Sequence, residues 1–333
     1  MNNKKRYFIM GTAVMFAALV LSGCSRPSQR AEEPADYLPQ TLVMGTGEEN
    51  GTVWQAGFAV ANVINHTVPG IHVAVEPSKG SSVNAANVAG GTWDLAVISG
   101  DTAYDALYGE NGFQEDAVGN LCVLAACYQE VSGWAALKES GLTMVHELRG
   151  KIISSGPAAS RTELASDAAF HVLGIDENNT EIYSDGLSDS TGHVKKKTAD
   201  AAHGFAPVPL AAHEQLSTEQ ETVFLSYTEE ELDRILDGEP RYFKTAIPAG
   251  TYSGQENEIP TFGVKVLLCA GKDMDPDLAY EIARAMDLNG PVYTADVPFM
   301  SMVQDKQFLC RDLPIPLHEG AERYYRELGY LIN

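Results

Sequence analysis

Three segments rich in glycine and hydroxyl residues stand directly before helical stretches: Gly45-Thr-Gly-Glu-Glu-Asn-Gly51, Gly80-Ser-Ser82 and Gly156-Pro-Ala-Ala-Ser-Arg-Thr162. A helix start leaves backbone N–H groups unsatisfied and carries a partial positive charge, so each segment is a place to hold a carboxylate. One start contributes about 0.3–2 kcal/mol, whereas micromolar binding needs roughly 8 kcal/mol. Several must therefore converge, helped by hydroxyls such as Thr46 and Thr52 and by a cation. Arg161 is the only arginine within these loops, and its fork matches a carboxylate in two-point fashion. The competing reading is a surface pair with Glu163 in the first helical turn. Trp54, in the first turn after the glycine loop, either closes over an apolar ligand stem or packs as an ordinary aromatic.

Other chemistries fit less well. Gly45 to Gly51, with Glu76 ending the next strand, partly matches a dinucleotide-binding fingerprint. The third glycine comes one position late, and Glu48 and Glu49 would face a pyrophosphate. Glycines that merely permit a tight turn are the plain alternative. The eight histidines show no H-E-x-x-H pair and no G-x-S-x-G elbow occurs, so neither a zinc site nor a serine hydrolase is expected. His203 and His318 adjoin turn-forming sequence and read as structural. Cys122, Cys127, Cys269 and Cys310 lack metal-ligand clustering. Disulfides and buried free thiols fit them equally, and the pairing stays open. No metal, cofactor or catalytic residue is expected.

The amino terminus sets the compartment. Lys4, Lys5 and Arg6 precede a nearly all-apolar run over 8–20, and Leu21-Ser-Gly-Cys24 follows. That order is a lipoprotein signal, with residues 1–23 removed and Cys24 lipidated. The run is short for a bilayer crossing, which takes roughly 20 residues. Residues 24–39 read as a flexible tether. The expected location is extracytoplasmic, lipid-anchored to the cell membrane. The formal charge of −22 argues against nucleic acid as a partner. It also means that an anionic ligand must be drawn by local groups in a closed site, where salt screens less.

The folded part is long enough for two lobes. Short apolar runs alternate with helical stretches, the pattern of an α/β protein. Strands are expected at Thr41–Met44, Ile71–Val75, Asp94–Ile98 and Cys122–Cys127, with helices from Thr52 to about His66, from Gly80-Ser-Ser82 to about Ala89, and over Asp101 to Tyr108. Gly133–Lys138 would leave the first lobe and Phe262–Cys269 would return to it. Lobe I is thus expected over 40–132 and 263–333, with lobe II over 133–262, and two crossings imply a hinge. Gly250, Gly254 and Pro260 either absorb part of its motion or shape a rigid turn.

Ile247-Pro-Ala-Gly-Thr-Tyr-Ser-Gly-Gln255 after Tyr242, and Pro314-Ile-Pro-Leu-His-Glu-Gly-Ala-Glu-Arg-Tyr-Tyr325, are specific enough to carry a family resemblance. The chain resembles the TAXI (TRAP-associated extracytoplasmic immunogenic) solute receptors of tripartite ATP-independent periplasmic transporters. Gly45-Thr-Gly47, Gly51-Thr52, Gly80-Ser81, Asp94-Leu-Ala96, Ala103-Tyr-Asp105, Ser160, Thr162-Glu163 and Asp200-Ala-Ala202 add weaker matches. The resemblance implies a two-lobed periplasmic-binding-protein fold, type II-like, with two hinge-crossing strands. Its interlobe cleft would hold a small organic acid or amino acid, such as glutamate, glutamine or 2-oxoglutarate. A monomeric receptor would deliver that ligand to TRAP membrane subunits, separate or fused. The expected ligand residues are Thr46, Gly47, Gly51, Thr52, Ser81, Ser99, Asp101, Ser160, Thr162 and Glu163, beside Arg161 and Trp54.

Two departures bear on selectivity. Glu48, Glu49 and Asn50 stand where the family has small residues, and Arg161 where glycine is usual. Glu48 receiving an ammonium while Arg161 holds an acid would complement an amino acid. Two other classes compete with transport. A lipid-anchored sensor with the same fold would be marked by a neighbouring histidine kinase gene, and a cell-surface enzyme by turnover of its ligand.

Overall fold

The computed structural model describes residues 39–114 and 118–331. The signal segment, residues 24–38 of the tether and Cys24 lie outside the described residues. The chain runs β1 (Gln40–Gly45), α1 (Thr52–Thr67), β2 (Ile71–Glu76), α2 (Ser81–Ala89), β3 (Leu95–Ser99), α3 (Gly100–Tyr108) and β4 (Cys122–Leu137). It continues through β5 (Ile152–Ser154), α4 (Arg161–Leu173), β6 (Glu181–Tyr183), α5 (Leu187–Lys195), β7 (Ala201–Ala206), α6 (Ala211–Glu219), β8 (Thr222–Leu225), α7 (Glu229–Gly238) and β9 (Phe243–Ile247). The return comprises β10 (Ile259–Ala270), α8 (Pro276–Leu288), α9 (Gly290–Asp296), α10 (Lys306–Cys310) and α11 (Glu319–Glu327).

One sheet passes through both halves in the order β2-β1-β3-β10-β4-β7-β5-β6, with β8 also on β4 and β9 on β10. β1, β2 and β3 are mutually parallel, as are β5, β6 and β7, while β10 and β4 lie antiparallel between the two sets. In parallel α/β sheets, ligands sit outside the carboxyl ends of strands. In the first half those ends lead into α1, α2 and α3; in the second they lead into α4, α5 and α6.

Packing explains why β4 and β10 are long. Leu124, Cys127, Tyr128, Val266 and Leu268 belong to one apolar core with α1 and α8. Further along the same two strands, Trp134, Ala136, Phe262 and Val264 belong to a second core with α4 and α7. Every residue of β4 is buried, so the connection is a continuous, doubly covered ribbon. The expected strands at 122–127 and 133–138 are thus one strand, and the intervening run Tyr128-Gln-Glu130 lies inside it. Thr245 Oγ1 donates to Gln129 at 2.9 Å, supporting the middle of the ribbon.

Several helices carry their own start signals. Asp275 accepts from the N–H groups of Asp277 and Leu278 at the head of α8, with Pro276 at its first position. A capping box joins Thr228 and Glu231 at α7. That helix and α6, α9, α10 and β9 were not expected from the sequence. Lys265, buried on β10, donates from Nζ to the C=O groups of Phe308 (2.9 Å) and Arg311 (2.8 Å). Burial lowers its pKa to about 8, and the bonds tie the C-terminal segment to the ribbon. Among the described residues Cys122, Cys127, Cys269 and Cys310 are free and buried. Among the described residues no helix is long and apolar enough to cross a membrane, and no group of His, Cys, Asp and Glu is placed to hold a metal.

Gly263 shows how closely the crossing strands approach. A Cβ there would lie 2.4 Å from the backbone O of Glu130, a contact no side-chain rotation relieves. Gly263→Ala is expected to lower the unfolding free energy by about 1–3 kcal/mol, read from urea denaturation. A variant as stable as the wild type would show that the ribbon has slack.

Candidate functional site

The loops after β1 and β2 are held by their own side chains. Thr46, fully buried, donates from Oγ1 to the Glu76 C=O (3.1 Å) and accepts nothing from a helix start. Ser78 and Asn84 both donate to the Thr46 C=O, at 2.6 and 2.9 Å, which fixes the Thr46-Gly47 turn. Gly51 precedes α1 and Gly80 precedes α2 without any side-chain cap. Their first-turn N–H groups therefore stay available at the carboxyl edge of the sheet. Ser81 Oγ accepts from the Ser99 N–H at 3.0 Å, joining the start of α2 to the end of β3. The third expected start differs, because Ser160 caps α4 by accepting from the Glu163 N–H at 3.2 Å. Glu163 accepts from the Ala159 N–H at 2.5 Å, and Thr162 packs against Gly156, where an added Cβ would meet it at 2.5 Å. These residues shape the loop that presents Arg161.

Arg161 reaches across to the first half of the molecule. Its Nε donates to Asp101 Oδ2 at 2.9 Å, and its Nη2 donates to Glu130 Oε2 in a short bond. The expected alternative, a local pair with Glu163, does not form. Asp101 lies in the first turn of α3 and Glu130 in the middle of β4, with side chains only 9% and 10% exposed against 35% for Arg161. Burial, the largest influence, would raise the Asp101 carboxyl, but the Arg161 guanidinium together with the neighbouring Ser99 hydroxyl and the Thr102 N–H outweighs it and holds the group below its ordinary value. At Glu130 burial wins, Arg161 offsets it only in part, neighbouring Asp101 adds to it, and the carboxyl lies above its ordinary value. The cage thus holds two carboxylates for one guanidinium. Tyr128, on the same strand face as Glu130, is buried with its hydroxyl unpartnered. Ser99 Oγ lies beside Asp101 without a hydrogen bond of good geometry.

A second clasp parallels the first. One turn along α3, Asp105 accepts from Arg241 Nε at 2.8 Å; Arg241 also bonds Glu239 at 2.5 Å and, in a short contact, Glu110. Its guanidinium stands 5.1 Å from the Tyr104 ring centre. α3 thus offers two acids to arginines of the other half. Arg241 and Glu130 were missed from sequence; an Asp pair at i and i+4 was the available clue.

Beneath α4 runs a buried polar chain. Ser132 Oγ lies 2.9 Å from His203 Nε2 and 3.3 Å from the Tyr227 hydroxyl, and Ser166 Oγ lies 2.7 Å from His203 Nδ1. Burial lowers the His203 pKa to about 3, and the imidazole has 0% exposure. A neutral, sealed histidine supports packing rather than proton transfer to a solute.

Two cavities draw their walls from both halves of the molecule. One mouth, of about 940 Å³, includes Asp101, Asp105, Arg161, Arg241 and Tyr242. The other, of about 620 Å³, includes Thr52, Leu187, Ala206, Val208, Pro298 and Phe299. Of the expected ligand residues, Asp101 and Arg161 are directly bonded, and Thr52 borders the second mouth. Glu48 is exposed, with its C=O accepting from the Gly51 N–H at 3.0 Å. Trp54 is half-buried and stacks on Phe58 of its own helix at 5.2 Å.

A family model described as the NMT1-like family matches residues 44–329. A TctC solute binding protein from Polaromonas is 12% identical, with a TM-score of 0.56 over 87% of this chain and 98% of that one. The periplasmic aliphatic sulphonate binding protein SsuA from Escherichia coli is 11% identical, with a TM-score of 0.49 over 88% of this chain and 80% of that one. The Polaromonas likeness bears out the two-lobed fold of a periplasmic solute-binding protein.

The cage has a testable pH signature. Asp101, with a depressed pKa, contributes stability at neutral pH that is lost as pH falls through its folded value; Glu130, with a raised pKa, runs the opposite way. Arg161→Ala would leave both carboxylates without a cation, Asp101 keeping only its bonds from the Thr102 N–H and hydroxyl, and is expected to cost about 1–3 kcal/mol at pH 7, a deficit that shrinks by pH 4 as they protonate. Glu130→Gln should cost less than Arg161→Ala at pH 7. Equal unfolding free energies for wild type and Arg161→Ala at pH 7 would contradict this account.

Proposed function

This chain belongs to the NMT1-like family, and from that premise we propose that it is an extracytoplasmic solute receptor of a TRAP-type (TAXI) transporter. It captures a small carboxylate-bearing solute between its lobes and delivers it to the membrane subunits, as a monomer tethered through Cys24, without turning it over. The observation that supports this reading is Arg161, carried by one lobe and bonded to Asp101 of the other and to Glu130 on the ribbon between them. A group seated there touches both lobes and the hinge, so binding it favours the closed arrangement.

The charge pattern narrows the head group. Arg161 uses Nε and Nη2 on the cage acids, while Nη1 has no partner among the described bonds. That edge, with the uncapped starts of α1 and α2, suits a carboxylate, and the surplus negative charge of Asp101 and Glu130 suits an ammonium. The complement is an amino acid zwitterion, with Asp101 and Glu130 in the role first expected of Glu48.

Calorimetric titration and chemical denaturation with glutamate, glutamine, 2-oxoglutarate, C4 dicarboxylates, alanine and leucine test the proposal. A ligand at 100 times its Kd adds about 2.7 kcal/mol to unfolding, and Arg161→Ala should remove most of that gain. If no carboxylate binds at millimolar concentration, the receptor reading fails. If acids lacking an amine bind as tightly as their amino counterparts, the zwitterion reading fails.

A further inference from the structure

The second mouth of the cleft differs in chemistry from the cage. Its walls come from both lobes: Thr52, Pro298 and Phe299 on one side, and the turns after β6 and β7, including Leu187 and Val208, on the other. Every lining side chain is apolar except the hydroxyls of Thr52 and Ser188, and none carries a charge. The mouth and the cage share structure. The Phe299 ring meets Tyr128 edge-on at 5.0 Å, and Tyr128 stands two residues from Glu130 on the buried strand β4. On the opposite wall, Ala206 follows Phe205, whose ring centre lies 6.0 Å from the Arg161 guanidinium carbon.

Resting on the receptor reading above, we propose that this apolar slot, abutting the Asp101–Glu130–Arg161 cage, is the side-chain subsite, so that the solute is an amino acid with an apolar side chain of the leucine or phenylalanine class. A carboxylate tail placed in the slot would meet no cationic side chain, only the first-turn backbone N–H groups at the starts of α1, α5 and α6, which lack side-chain caps, and so would recover only part of the cost of leaving water. An aliphatic or aromatic tail there gains by leaving water, an advantage on the order of tenfold to a hundredfold in affinity over a tail of one methyl group. The unpartnered Tyr128 hydroxyl lies at the junction, where a head group is polar and a tail is not.

Calorimetric titration of the purified chain with L-leucine, L-phenylalanine, L-alanine and L-glutamate tests it. Leucine or phenylalanine is expected to bind at least tenfold more tightly than alanine and glutamate. Ala211→Trp and Ser188→Trp, each at an exposed position bordering the slot on a different helix, should each weaken leucine at least tenfold more than alanine. Glutamate binding as tightly as leucine overturns the subsite while leaving the receptor intact. Tight leucine binding that neither tryptophan disturbs relative to alanine overturns the slot as its location. Failure of all four amino acids, with 2-oxoglutarate and C4 dicarboxylates also silent, overturns the receptor reading itself.

Discussion

The Arg161 guanidinium lies between two carboxylates that the fold has largely removed from water, Asp101 at the head of α3 and Glu130 inside β4. Removing a carboxylate from water costs several kcal/mol even after relaxation, so neither acid is comfortable there without the arginine. That dependence couples the halves. Separating the lobes breaks the bond between Asp101 and Arg161 and leaves acids poorly compensated, while closing them restores it. The interaction therefore matters more for which arrangement is adopted than for overall stability, because a buried ion pair rarely outdoes well-packed apolar residues.

The ribbon formed by β4 and β10 lets such a local bond report on a large movement. Two apolar cores grip its two ends, so in the proposed closure each lobe would move as a body with the torsions near the middle of the ribbon. Gly263 keeps the two strands close beside Glu130, and Lys265 pins the C-terminal segment to one of them. The Asp105–Arg241 clasp, a turn further along α3, adds a contact that keeps the same helix face turned toward the other lobe. The closure proposed here would be a choice between two packed arrangements rather than a continuous bend.

Much of the frame was legible from local sequence, because local signals and burial agree there. The reading of α1 as Thr52 to about His66 falls one residue short of Thr52–Thr67, since a glycine loop opens it and its apolar residues repeat at helical spacing. Glu130 was hidden for the opposite reason: Tyr128-Gln-Glu130 looks like a break between strands, and only the partner across the cleft explains a glutamate inside a buried strand. Arg161 was legible as the cation of its loop, but its partners were not, because Asp101 and Glu130 lie 60 and 31 residues away in sequence. The slot was invisible altogether. Thr52, Leu187, Val208 and Phe299 come from four separate turns, and no spacing along the chain brings them together.

The central claim is that the halves close on a solute through the Arg161 joint. It is tested most directly by the dipolar distance between spin labels at Thr92→Cys and Glu177→Cys, exposed positions on the two halves, in a Cys24→Ser background whose four thiols among the described residues are buried. Saturation with the tightest-binding amino acid should shorten and narrow the distance distribution in the otherwise wild-type chain, and Arg161→Ala should abolish that response. An unchanged distribution at a solute concentration shown by calorimetry to saturate the protein would contradict the account.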